Sequence, residues 1–318
     1  MILLERVEFY DRTGKGALVL IPGLLTNNES FPTWWNAYIH ATLVNVVSAG
    51  RQDLLGTWAT LTGAVSLYYA APNDDTLSGV AIVGDDVSAV VAFQGTRNTL
   101  QVIAQILQSP QQTYPGIAGS VNGYYGACFF EQKAIYQTLI DALPPDFKLY
   151  FAGHSAGGAI AHVAFKWFDE FENFDAVGCV TFGQPRTGNP YFARNTPAPF
   201  LRVIAQDDFV VTLPPNTFQT LQLVGPFAAA ILGANYNHAR AGWVLNIDGT
   251  TVPGDRNIID TWGPPAVNAL LRLRRCWTDC YARHLIANYA SLIWPRAQLQ
   301  GSPVDLLAFK AINDAIGV

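Results

Sequence analysis

The chain reads as an α/β protein with a mostly parallel central sheet and helices on both faces, and three observations carry that reading. Short apolar runs alternate with helical stretches between residues 131 and 205, the pattern that strand–helix–strand crossovers produce. Gly153-His154-Ser155-Ala156-Gly157 spells G-x-S-x-G at the junction of one such strand and helix, as a sharp strand-to-helix turn requires. Two β-branched runs, residues 79–83 and 87–93, flank Gly84-Asp85-Asp86 and predict a hairpin ahead of them.

The elements follow in order. Residues 17–21 read as a short apolar strand ending at Pro22-Gly23, and the aromatic-rich stretch 31–38 is expected to pack on the outside of the core. Leu61, Val65 and Tyr68 or Tyr69 fall at helical spacing, so 56–71 reads as a helix before the turn Pro72-Asn73-Asp74-Asp75. After the hairpin, 131–142 is a helix stopped by Pro144-Pro145. Residues 148–152 are apolar and aromatic, a buried strand; 158–168 is an Ala-rich packed helix; 176–182 and 201–205 are further strands. Ligands of such sheets bind beyond the carboxyl ends of the strands, where Ser155, Gly183-Gln184-Pro185 and Asp207-Asp208 all fall. No repeat or low-complexity linker interrupts the chain, so residues 1–318 are expected to form a single domain.

Composition narrows the function. Half of the residues are hydrophobic and 14% are charged, enough for a sizeable core under a charge-poor surface. The net charge of −5 and the lack of a basic patch argue against a nucleic-acid partner. No run approaches the ~18 unbroken apolar residues of a transmembrane helix, so the mean hydropathy of +0.18 reflects a core. Residues 1–15 carry Glu5, Arg6, Glu8, Asp11 and Arg12 and do not read as a secretory signal. The cysteines, Cys128, Cys179, Cys276 and Cys280, permit disulfides without demanding them. Cys276, Cys280 and His284 share an i, i+4 spacing, but a metal site there lacks an obvious fourth ligand, and a disulfide or two small buried thiols fits better.

Ser155 is the candidate nucleophile. A strand that turns at once into a helix leaves its Oγ exposed on a tight bend, and the flanking glycines keep side chains out of that bend. The helix N-terminus behind it favours developing negative charge. The plainer reading is a Gly-rich helix start without chemistry. A serine hydroxyl needs a base, usually histidine, and the base needs an acid to fix its tautomer. In the chain order serine, acid, histidine, only His238 and His284 follow both Ser155 and the Asp207-Asp208 pair. His40 precedes them all, and His154 and His162 read as structural. Neighbours in extended chain point to opposite sides, so one of Asp207 and Asp208 can face the histidine; pattern alone chooses neither the acid nor the base. Residues 98–130 and 209–239 contain no Asp, Glu, Lys or Arg. They are either buried or form an apolar surface suited to lipid.

Four motifs, in order, resemble the class 3 lipases, an α/β-hydrolase family of triacylglycerol lipases and related esterases. Val90-Val91-Ala92-Phe93-Gln94-Gly95-Thr96 resembles V-x-F-R-G-T/S, and Gly153 through Gly157 is the elbow. Thr181-Phe182-Gly183-Gln184-Pro185-Arg186-Thr187-Gly188-Asn189 resembles T-F-G-x-P-R-x-G-N. Arg202-Val203 through Asp208-Phe209-Val210 to Leu213-Pro214-Pro215 resembles R-V-x-x-x-x-D-x-V-x-x-L-P-P. The likeness covers residues 56–215 well and thins on either side. It implies the α/β-hydrolase fold. In its register Asp208 takes the acid position, and Asp207 falls where the family often has Asn. Tyr236-Asn237-His238 with Trp243 resembles a Y-x-H…W segment whose histidine is not the base, and His284-Leu285 resembles the late H-L segment that supplies it.

The resemblance therefore implies Ser155, Asp208 and His284 as the catalytic set, with the backbone N–H groups of Thr96 and Ala156 as the oxyanion hole. Val19-Leu20-Ile21-Pro22-Gly23-Leu24 is a fainter competitor for the second donor. The implied reaction is hydrolysis of carboxylic esters through an acyl-enzyme, by a triacylglycerol lipase. An esterase of soluble esters, including the feruloyl type, is the alternative, and an inactive lipase-like binding module the last. The substrate is then an ester or lipid, met at a lipid–water interface, with no cofactor and no metal, and the resemblance slightly favours secretion. Two departures stand out: Gln94 replaces the family's Arg, and Gln101-Val102 replaces the D-W pair of its lid. Val102, Ile103, Ile106 and Leu107 still make an apolar helical stripe, so a lid-like segment is expected at about 97–120, with a fixed wall of the acyl pocket as the other reading. Residues 216–280 form a longer stretch than the family's usual and receive no role.

Overall fold

Alternating side chains on four adjacent parallel strands organise the molecule. Along β4 (Ser88–Phe93), β7 (Lys148–His154), β8 (Asp175–Phe182) and β9 (Phe200–Ala205), one set of residues, including Val90, Ala92, Tyr150, Ala152, Val180, Phe182, Leu201 and Val203, enters one hydrophobic layer. The other set, including Ala89, Val91, Phe93, Leu149, Phe151 and Cys179, enters a second. A strand buried on both faces must be apolar at both parities, which is why these runs read as continuous rather than alternating.

The computed structural model describes residues 4–8, 34–62, 66–70, 80–84, 88–96, 105–141, 148–171, 175–197, 199–205, 208–214, 236–239, 242–245, 251–254, 284–299 and 303–316. Among these, nine strands form one sheet in the order β1 (Leu4–Glu8), β2 (Ser66–Ala70), β3 (Val80–Gly84), β4, β7, β8, β9, β10 (Gly242–Leu245) and β11 (Thr251–Gly254). Strands β4 through β10 run parallel, whereas β1–β3 and β11 add antiparallel edges. A two-stranded ribbon, β5 (Gln111–Gln112) and β6 (Val121–Asn122), stands apart from it. Helices α1 (Trp34–Ala49), α2 (Gln52–Thr62), α6 (Ile286–Ala297) and α7 (Pro303–Ile316) supply the first layer. Helices α3 (Gly123–Asp141) and α4 (Ala156–Phe171), with the short α5 (Pro190–Arg194), supply the second. The parallel centre, covered on both faces by helices, is the α/β arrangement that the sequence predicts, with antiparallel strands added at its edges.

Several boundaries differ from expectation. The described end of the stretch read at 31–38 does not lie outside the core: Asn36, Ala37 and Tyr38 open a run of buried positions along α1, which is sandwiched between the sheet and α6. A helix covered on all sides must be apolar all round. The expected helix over 56–71 stops at Thr62, and Tyr68 and Tyr69 lie in β2, paired antiparallel to β1 and β3. An open edge on β3 outweighs a helical spacing that a β-rich Leu-Tyr-Tyr sequence also satisfies. The helix expected from 131 begins at Gly123. The hairpin forms as read, with Ile82 opposite Val91. The strand read at 17–21, the turn at 72–75, Cys276 and Cys280 lie outside the described residues. Cys128 and Cys179 are buried free thiols.

Candidate active site

Ser155 follows β7 directly and precedes the first residue of α4. Its φ of 57° is the one left-handed non-glycine conformation among the described residues, a strain that β-carbon-bearing residues adopt when their surroundings force it. The bend is held by Ser155 N–H donating to Phe182 O (2.9 Å) and Gly158 N–H donating to Ser155 O (3.0 Å). A Cβ on Gly153 would strike the carbonyl of Gly157, and one on Gly157 would strike the backbone carbonyl of Gln94. The two glycines are thus required by packing across the elbow and against the end of β4.

His284 stands just ahead of α6, 2% exposed. Its Nε2 lies 2.7 Å from Ser155 Oγ and its Nδ1 2.8 Å from Asp208 Oδ2. A carboxylate only accepts, so Nδ1 carries the proton and Nε2 is free to accept from the serine hydroxyl. Asp208 is 4% exposed and follows β9. Its Oδ1 accepts from Val210 N–H (2.9 Å), and its Oδ2 accepts a second proton from the Tyr289 hydroxyl (2.5 Å). Tyr289 in turn accepts from Ala205 N–H (3.1 Å), which ties it to the last residue of β9. Burial, then the Asp208 charge, hold its hydroxyl well above the usual tyrosine range. Gly183 (φ 57°) lets these groups converge, since a Cβ there would come 2.8 Å from Asp208 Oδ2, 3.0 Å from Tyr289 Oη and 3.1 Å from His284 Cε1. Sequence reasoning named Gly183 as a strand end and a motif glycine without this role, and missed Tyr289, whose one signal is an aromatic residue five positions beyond His284.

Of the remaining histidines, His238 donates from Nε2 to Val211 O (2.7 Å). Burial, then the Arg202 and Arg186 guanidiniums, push its pKa well below the ordinary histidine value. It braces the loop that carries Asp208. Arg186 holds the same loop through Nη1, which donates to Thr212 O and to Pro214 O (2.9 Å). His162 closes a buried network with Thr196 (2.7 Å) and Gln184 (3.0 Å). Asp207 lies outside the described residues.

Ala156 opens α4, where backbone amides lack intrahelical acceptors. Thr96 lies three positions beyond Phe93, which pairs with Gly153, so it follows the strand beside the elbow. Gly95 N–H, next to it, donates to Ser48 Oγ at the end of α1 (3.2 Å). The following segment is only partly described, from residue 105. There Asn122 Nδ2 donates to Ile106 O and to Tyr236 Oη (both 2.9 Å), Gly123 N–H donates to Pro110 O (2.8 Å), and the Tyr114 ring stacks on Phe130 at 4.7 Å. Ile106 is buried whereas Leu107 is half exposed, so two of the four residues of the apolar stripe face different ways. Val102 and Ile103 lie outside the described residues.

Residues 90–218 match the family model for lipase (class 3). The chain is 28% identical over 175 residues to a lipase of Rhizomucor miehei, covering 52% of this chain and 45% of that protein. It is 30% identical over 178 residues to lipase ZK262.3 of Caenorhabditis elegans, covering 52% and 47%. The chain thus spans about half the length of the curated relatives it matches. The structure of Rhizomucor miehei triacylglyceride lipase superposes with a TM-score of 0.52 at 20% identity, over 69% of this chain and 82% of that one. With the elbow and the hydrogen-bonded Ser155–His284–Asp208 chain in hand, the chain is similar to the class 3 lipases over residues 90–218 and shares the α/β-hydrolase fold of the lipase structures it superposes on.

Proposed function

We propose that the chain is a serine hydrolase of carboxylic esters, a triacylglycerol lipase working through an acyl-enzyme on a single domain spanning 1–318. The observation that carries this is the continuous hydrogen-bonded line from Ser155 Oγ to His284 Nε2 and from His284 Nδ1 to Asp208 Oδ2, at 2.7 and 2.8 Å. Ser155 attacks the ester carbonyl as His284 takes its proton. The N–H groups of Ala156 and Thr96 receive the oxyanion, and Asp208 stabilises the imidazolium. His284 then protonates the leaving alcohol, and water, activated by the same histidine, releases the acid. The steps need no cofactor. The relatives' lipase names support an ester of glycerol as substrate. No described helix is long and apolar enough to cross a membrane.

One observation favours the second reading, an esterase of soluble esters. The described part of the lid-like segment 97–120, from residue 105 on, is tied to its neighbours by Asn122, Gly123 and Tyr114, which favours a fixed wall over an opening lid there. Treatment with an organophosphonate tests the hydrolase reading: one equivalent on Ser155 is expected, and no label, or label elsewhere, overturns it. Rates on short and long acyl esters, below and above their aggregation thresholds, separate the two substrates. A jump in rate on aggregation supports the lipase, and saturation below it supports the esterase.

A further inference from the structure

We propose that His154, the x of G-x-S-x-G, is a positioning residue that holds the base His284 and the oxyanion loop at Gly95 in register with Ser155. The proposal rests on the reading of Ser155 as nucleophile and His284 as base. His154 is the last residue of β7, adjacent to Ser155 in the chain, and 7% exposed. Three contacts converge on it. Its Nε2 lies 2.5 Å from the backbone carbonyl oxygen of His284. Its ring lies 4.6 Å from the His284 ring, tilted by 36°, and 5.9 Å from that of Tyr289. On its other edge, a Cβ added to Gly95 would come 2.8 Å from His154 Nδ1 and 3.2 Å from His154 O. The residue beside Thr96 therefore packs flush on the imidazole.

These contacts define the chemistry of the ring. A backbone carbonyl only accepts, so Nε2 carries the proton and Nδ1 is bare. Burial, then the neighbouring His284, push the His154 pKa well below the ordinary value, so the ring is neutral while His284 becomes charged during turnover. Neutrality is required, because a second cation at this range would oppose the imidazolium. The Nε2–H bond closes a short circuit: backbone from Ser155 to His154, hydrogen bond to the main chain of His284, and His284 Nε2 back to Ser155 Oγ. It anchors His284 at the start of a helix whose N-cap, Leu285, offers no side-chain cap. Displacement of a reacting group by 1 Å can cost about 10²-fold in rate, so a direct tie between nucleophile segment and base has kinetic weight.

Two measurements test this. In the unaltered protein, ¹⁵N NMR is expected to show His154 as the neutral Nε2–H tautomer down to pH 6. The Nδ1–H tautomer, or a protonated ring at pH 7, overturns the proposal. In variants, His154→Gln keeps a donor of similar reach, whereas His154→Asn is too short and His154→Leu has none. On a soluble p-nitrophenyl ester, Asn and Leu are expected to lower kcat by about 10- to 100-fold with KM within about twofold, and Gln to recover most of the loss. Circular dichroism and melting temperature accompany each variant, and the NMR result decides where a variant does not fold. Equal kcat in all folded variants, or equal loss in Gln and Leu, overturns the positioning role. Failure of the unaltered protein to take up phosphonate at Ser155 instead overturns the hydrolase reading, leaving the tautomer result to stand alone.

Discussion

His284 and His238 invite comparison because they share almost every coarse property. Both are buried, both come late in the chain, and each has a ring nitrogen bonded to an acceptor belonging to the loop 208–214. Their surroundings differ in kind. His284 lies between a carboxylate and a hydroxyl, so one nitrogen is pinned in the protonated form and the other points its lone pair at Ser155 Oγ. His238 lies between a carbonyl and the field of two guanidiniums, and its Nδ1 has no hydrogen-bond partner among the described residues. A carboxylate faces the first ring, whereas burial and two guanidiniums oppose a cation at the second. Burial of a histidine thus says little about chemistry; the sign of the charge facing it says a great deal.

The sharpest way to break this contrast is to remove each ring. His284→Ala is expected to lower kcat/KM on a soluble ester by about 10⁴-fold or more, with the same residual rate as Ser155→Ala, since members of such a set act as a unit. His238→Ala is expected to stay within about tenfold of the unaltered protein, its cost appearing in stability through the lost bond to Val211. A reversed ranking would reassign the base.

The acid can be probed at fixed geometry. Asp208→Asn keeps the shape but offers His284 an amide, which favours the wrong tautomer and leaves the imidazolium uncompensated. A loss of about 10⁴-fold in kcat is expected, measured on the same soluble ester, with little change in KM. Retention of more than a tenth of the rate would show that another group serves as acid.

Tyr289→Phe comes next. Deleting the hydroxyl takes one of two donors from Asp208 Oδ2 and leaves Ala205 N–H without its acceptor. A buried group so orphaned costs about 1–3 kcal/mol, read by urea unfolding. A fall in kcat of roughly tenfold is expected because the carboxylate is then held by fewer bonds. Unchanged stability and rate would mean that Asp208 is fixed by Val210 N–H and His284 alone.

What the sequence made legible follows the same division. The parallel strands, the elbow and Ser155 could be read because each is a local pattern, an apolar run or a glycine pair, whereas Asp208 and His284 were singled out from their neighbours Asp207 and His238 only by the order of motifs shared with the class 3 lipases. Tyr289 could not be read, because its partners, Asp208 and Ala205, are more than eighty positions away, and nothing local distinguishes it from another core aromatic. Tyr68 and Tyr69 misled for a related reason. Their spacing fits a helix, but the free edge of β3 that claims them is a tertiary fact. The buried α1 was misplaced because an aromatic-rich stretch reads the same against a surface or between two layers.

The smallest expected effect concerns histidines of the His238 kind, buried and held neutral. His40 on α1 is 2% exposed, its Nδ1 has no hydrogen-bond partner among the described residues, and burial lowers its pKa to about 4. An unfolded chain protonates the same ring near 6.5. Between those values the unfolded state binds more protons than the folded one, so stability rises with pH across the window and falls on acidification. The contribution is complete above pH 6.5 and is lost progressively toward pH 4. At pH 5 the loss from His40 is about 2 kcal/mol. Urea unfolding at pH 7 and pH 5 is expected to show at least this drop, and in His40→Leu the drop should shrink by about the same amount. His238→Gln should shrink it further, its pKa being depressed in the same direction by burial and by Arg202 and Arg186. A pH dependence identical in all three proteins would mean that these rings take up protons without unfolding, and that the separation between histidines that serve the fold and the one that faces Ser155 is not electrostatic.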